Sequence, residues 1–116
     1  MKFLCLAYGS EADWKRLSKD EQSELLAHDN VLKERGDYMA AVKLQVTTVT
    51  NWDHDLKTKD APFARLEHPL AGFSVIEAND LDEAIALVAN TPCARANGAI
   101  EIRPFWDQGD AGAPGA

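Results

Sequence analysis

The chain has 116 residues, 46% of them hydrophobic and 27% charged, with a net charge of −7. That length suits one domain around one core, and the mixture is globular rather than disordered. The acidic balance argues against nucleic acid or an anionic membrane surface as partner, because phosphate recognition needs a cationic face.

Lys2 to Tyr8 reads as a strand with apolar residues on both faces, hence central in a sheet. The opening Met1–Ala7 stretch is too short for a signal-peptide core. No run approaches the roughly 18 apolar residues of a membrane span, so a cytoplasmic protein is expected. Cys5 lies within the apolar strand and reads as a small buried hydrophobe. Cys93 follows a helix, and neither cysteine belongs to a Cys-x-x-Cys pair, so no disulfide framework is expected.

Glu11 to Arg16 is expected as a helical turn carrying Trp14. Ser18 followed three residues later by Glu21 has the spacing of a capping box, predicting a helix to Arg35 with Gly36 as its stop. Leu25, His28 and Leu32 share one helix stripe. His28 therefore points toward whatever that helix packs on, either as a satisfied core residue or as a catalytic group.

Tyr38 to Val49 is rich in Val, Thr and Leu and predicts one long strand, or two with a bend. Asn51 to Asp55 is a turn, followed by a short strand, Leu56 to Lys59. Asp53, His54 and Asp55 resemble metal ligands in type, but three neighbours on a turn do not easily converge on one ion. A solvated hairpin tip is the expectation, and the chain carries no metal or cofactor signature.

Next comes the Asp60-Ala61-Pro62-Phe63 corner. Pro62 fixes its own φ and pushes Ala61 away from helix. Two readings of Asp60 stay open: a turn residue bonding nearby backbone N–H groups, or a functional acid held on stiff backbone. Glu67 and His68 lie in the polar loop that follows. Gly72 to Ala78 predicts a strand with Phe73, Val75 and Glu77 on one face and Ser74 and Ile76 on the other. If the first face is buried, the Glu77 carboxylate needs a partner or a raised pKa. Asp80 and Glu83 repeat the capping-box spacing, and Leu81, Ala84, Ile85 and Val88 form the second helix stripe. Asn90-Thr91-Pro92 is expected to end that helix. Ala99 to Pro104 predicts the last strand, with Ile100 and Ile102 on one face and Glu101 and Arg103 on the other. Residues 107–116 have little to pack and are expected as a disordered tail, leaving 1–106 as the domain.

The predicted order β-α-β-β-(β)-α-β makes an α+β fold: a ferredoxin-like two-layer sandwich with two helices on one face of an antiparallel sheet. The opposite face would lack helices, and a homodimer stacking two sheets is the economical cover.

Phe3 to Gly9, Ala27-His28, Asp60 to Ala64, Ala71-Gly72-Phe73, Asn79 to Ala84 and Ile100 to Pro104 together resemble the YCII-related proteins. The branch in question is marked by an Asp-Gly-Pro-Phe motif, with Ala61 here in place of the Gly. Arg65-Leu66-Glu67 departs from the usual Glu-Thr-Lys-Glu continuation. The resemblance implies a dimeric α+β barrel with a cleft at the sheet and dimer boundary. It also implies a His and Asp acid–base pair in that cleft, mapping to His28 and Asp60. The wider family includes a dehydrochlorinase acting on a chlorinated hydroxyquinol, but most members have no assigned reaction.

Two functional readings follow. In the first, a small-molecule enzyme, His28 acts as general acid or base and Asp60 orients it and favours the imidazolium. Phe63, Arg65, Glu77 and Arg103 are the candidate substrate contacts. Exposed salt bridges are the plainer explanation of the two arginines. In the second reading the protein is a non-catalytic dimer that binds a small metabolite or a partner protein. Fold alone does not choose between them.

Overall fold

The structure is a computed structural model that describes residues 1–106. The expected tail lies outside the described residues. In chain order the elements are β1 (Lys2–Tyr8), α1 (Glu11–Lys15), α2 (Lys19–Glu34), β2 (Tyr38–Ala41), β3 (Thr48–Trp52), β4 (Asp55–Lys59), β5 (Leu70–Glu77), α3 (Leu81–Val88), α4 (Pro92–Arg95) and β6 (Ala99–Pro104). Four strands form one antiparallel sheet in the order β2-β5-β1-β6, and β3 and β4 form a separate hairpin. With the hairpin set aside, this is the strand order of a ferredoxin-like split β-α-β sandwich. β1 is central, as its two apolar faces predict. No described helix is long and apolar enough to cross a membrane.

The helix boundaries follow from local chemistry. The Ser18 hydroxyl accepts the Glu21 N–H at 3.1 Å, and the Asp80 carboxylate accepts the Glu83 N–H at 2.8 Å. α2 ends in a Schellman motif: Gly36 N–H bonds the Lys33 carbonyl at 3.0 Å and Asp37 N–H bonds the Leu32 carbonyl at 3.2 Å. That turn puts Gly36 at φ 87°, a conformation that L side chains rarely adopt.

One core joins sheet to helices. Phe3, Cys5 and Ile76 from the sheet meet Leu32 of α2 and Ala84 and Val88 of α3. Strand alternation turns Leu4, Leu6, Phe73 and Val75 to the opposite face. Tyr38 joins Phe73, their ring centroids 5.7 Å apart.

Several elements differ from the sequence reading. The 38–49 segment does not continue as one strand: β2 stops at Ala41 and β3 begins at Thr48 in a different sheet. β-propensity described the residue types but not their pairing partners. The β3–β4 turn is a two-residue loop with Asp53 at φ 54° and His54 at φ 63°, the primed geometry that matches hairpin twist. Thr91-Pro92 does more than end a helix, since Pro92 starts α4, where its missing N–H costs nothing. α3 buries Ala84 and Val88 but leaves Leu81 and Ile85 about half exposed, so its buried stripe is narrower than expected.

Candidate functional site

A cavity of about 290 Å³ opens between α2, α4 and the sheet, next to the core. Small residues create it: Ala7, Ala40, Ala41, Ala71 and Gly72 line it where bulkier side chains would fill the layer. Gly72 is also required by the sheet, because a Cβ there would stand 2.6 Å from the Ala40 carbonyl oxygen. Leu32, Met39, Val88 and Ile100 supply apolar walls.

The polar lining is sparse. Thr91 is buried, and its hydroxyl donates to the Val88 carbonyl at 2.6 Å. The Cys93 thiol is pushed above its ordinary pKa by burial and then by the Asp29 carboxylate, so it stays protonated. Burial also raises the pKa of Asp29, with Lys33 one turn along the helix pulling it back. Among the described residues the Asp29 carboxylate has neither an ion-pair nor a hydrogen-bond partner. With Lys33 and the buried Ser74 also in the lining, the site offers one half-buried carboxylate without a bonded partner in a largely apolar hollow.

A second hollow of about 210 Å³ shares Ala71, Pro92 and Cys93 with the first, and Ser10 and Trp14 line its far side. Beside it, Asp13 of α1 is buried and caps its own helix turn with Ser10: Ser10 Oγ donates to Asp13 Oδ2 at 2.9 Å and accepts the Asp13 N–H at 3.1 Å. His68 Nδ1 lies 3.9 Å from Asp13 Oδ2, and Arg16 reaches Oδ1 at 3.4 Å. At 3.9 Å the histidine contact is an ion pair only when protonated, not a hydrogen bond. The cluster ties the 66–69 loop to α1, helped by Gly9 N–H to the Pro69 carbonyl at 3.0 Å.

His28 lies half-buried on α2. Successive helical residues are about 100° apart, so His28 and Asp29 flank the Leu25–Leu32 line on opposite sides, and the cavity lies on the Asp29 side. Asp60 is exposed at the foot of the hairpin, with Thr47 Oγ1 at 3.5 Å. Neither His28 nor Asp60 lines either hollow within one chain. Phe63 and Arg65 are exposed in the segment after β4. Glu77 is exposed and meets the N-terminal ammonium at 3.3 Å, so its carboxylate has a partner without being buried. Arg103 pairs with Glu101 on the same strand at 2.8 Å.

Sequence reasoning singled out His28 and passed over its neighbour Asp29. The signal was faint: an acid beside a buried stripe reads as solvated until α4 is known to close over it. Asp13 was more legible, since Ser10 and Asp13 have capping spacing. Its meeting with His68 joins residues far apart in sequence.

The chain is similar to 5-chloro-2-hydroxyhydroquinone dehydrochlorinase (TftG) from Burkholderia phenoliruptrix, solved in complex with 2,5-dihydroxybenzoquinone. The identity is 20%, the match covers 91% of this chain and 94% of that one, and the TM-score is 0.47. A likeness of that size carries no functional argument. No curated protein matches. The model of the YCII-related domain matches residues 1–108, nearly the whole chain, and the protein belongs to the YCII-related family.

Proposed function

We propose that the protein works as a homodimer acting on a small molecule, with His28 and Asp60 forming an acid–base pair in a cleft at the interface. The observation that carries this reading is the uncovered hairpin with Asp60 at its foot. Every residue of β4 is exposed, and Val49, Trp52 and Leu56 are at least 60% exposed. A two-stranded hairpin alone in water is marginally stable, and among the described residues no helix covers the Leu4, Leu6, Phe73 and Val75 face. A second copy covers both, and only such a cover desolvates Asp60 enough to make it more than a turn residue.

In this reading His28 moves a proton to or from the substrate and Asp60 orients the imidazole. Phe63 offers an apolar contact, and Arg65, Glu77 and Arg103 hold polar groups at the rim. Arg103 must exchange Glu101 for substrate to do so. Proton abstraction or elimination is chemistry that such a pair can perform unaided.

A second reading, a non-catalytic dimer that binds a metabolite, draws support from the 290 Å³ cavity, which neither His28 nor Asp60 lines. Light scattering and a thermal-shift screen of small anions and hydroxyaromatic compounds separate the two. The acid–base reading expects a dimer whose hits lose their shifts in both His28→Ala and Asp60→Asn. Hits that survive both substitutions favour the binding module, and a monomer removes the shared cleft altogether.

A further inference from the structure

We infer that the hollow between α2, α4 and the sheet binds a small organic amine, its ammonium group against Asp29 and its hydrocarbon body on Leu32, Met39, Val88 and Ile100. The inference does not depend on the His28–Asp60 pair, which lies outside this hollow.

Three observations carry it. First, Asp29 is half-buried yet its carboxylate has no ion-pair or hydrogen-bond partner among the described residues. Losing water without gaining a partner is unfavourable for a charge, and a cation supplied from outside relieves that. Burial raising the pKa of this carboxyl is the same fact seen through its proton. Second, the other polar groups in the lining do not compete for the role. The Thr91 hydroxyl is spent on the Val88 carbonyl. The Cys93 thiol stays protonated. Lys33 also lines the hollow and draws on Asp29 through space, but it forms no ion pair with it, so the carboxylate oxygens stay open to a ligand. Third, apart from Ser74, which is buried and whose side chain hydrogen-bonds with the Cys5 thiol, the remaining lining is apolar, and the volume of about 290 Å³ suits a molecule of few heavy atoms.

Charge selects the ligand class. An anion of the same shape meets Asp29 as a like charge, and a neutral alcohol gains the apolar contacts and one hydrogen bond to the carboxylate but no attraction between opposite charges. An ammonium makes the same kind of hydrogen bond and adds the Coulomb attraction of its own positive charge. The net charge of −7 also favours approach of a cation.

The test uses three probes of one shape: benzylamine, benzyl alcohol and benzoate. Each is titrated into the isotope-labelled full chain near neutral pH, and amide shifts are followed by NMR. Benzylamine is expected to move the resonances of Asp29, Met39 and Cys93. It should bind roughly tenfold tighter than benzyl alcohol, with benzoate weakest. In Asp29→Asn, its affinity should fall to near that of the alcohol, whose own affinity should fall much less. Equal affinity for amine and alcohol, an amine affinity unaltered in Asp29→Asn, or shifts confined to the β3–β4 hairpin each overturn the assignment. So does the absence of any shift at millimolar benzylamine.

Discussion

Replacing Asp37 tests how the fold joins the end of α2 to the sheet. Its side chain is 7% exposed and accepts Arg35 Nε at 2.9 Å and the Glu77 N–H at 3.4 Å. Arg35 in turn gives Nη2 to the Glu77 carbonyl at 2.6 Å. The three residues thus fasten the turn after α2 to the last residue of β5. Removing one partner of a fully buried ion pair costs about 3–5 kcal/mol. Arg35 is 34% exposed and keeps its bond to the Glu77 carbonyl, and the freed Glu77 N–H lies at an exposed residue that water can reach. Both facts lower the cost, to about 2 kcal/mol for Asp37→Ala. Asp37→Asn keeps an acceptor oxygen but loses the charge, and should cost about 1 kcal/mol. Urea melts followed by circular dichroism, at one fixed protein concentration because association shifts apparent stability, measure both. Added salt should narrow the gap between Asp37 and Asn, since only the charged part is screened. An Ala variant within about 0.5 kcal/mol of the parent, the range of ordinary surface changes, refutes the reasoning. An Asn variant as weak as Ala shows that charge, not hydrogen bonding, was decisive.

Two more outcomes follow from single residues. Burial places the folded-state pKa of Asp29 above the ordinary 3.8. The folded protein therefore holds that proton more firmly, so the contribution of this group is greatest below 3.8 and is lost as pH rises through the folded value. Asp29→Asn should accordingly be more stable than the parent near neutral pH and lose that advantage as pH falls toward 3.8. Thermal melts across that range check it, and an advantage that grows in acid contradicts the sign. Gly36→Ala forces a Cβ into the left-handed conformation at φ 87° and should cost roughly 1–2 kcal/mol. Because no atom beyond Gly36 and its chain neighbours lies within 4 Å of where that Cβ would go, a larger loss in urea melts would mean that the α2 terminus does more than turn.

Local chemistry made much of this protein readable in advance. Ser18 and Asp80 start helices because their side chains satisfy N–H groups three residues away, and Gly36 ends one because only glycine enters that turn freely. Those interactions span a few residues, so their partners are visible in the sequence. The central place of β1 was legible for a related reason: a strand apolar on both faces favours the interior of a sheet over its edge, and β1 pairs with β5 and β6. Three features escaped. The 38–52 region divides between two sheets because pairing depends on which distant strand arrives, and β-propensity carries no such information. Asp29 stands out only because α4, more than sixty positions later, comes to rest beside it and takes away its water. Asp13 and His68 meet for the same kind of reason, through a loop whose path is set by contacts with α1. Short-range hydrogen bonds and periodicity fixed the elements, whereas desolvation, the force that gives a carboxylate its chemistry, depends on what packs against it and was decided by the assembled fold.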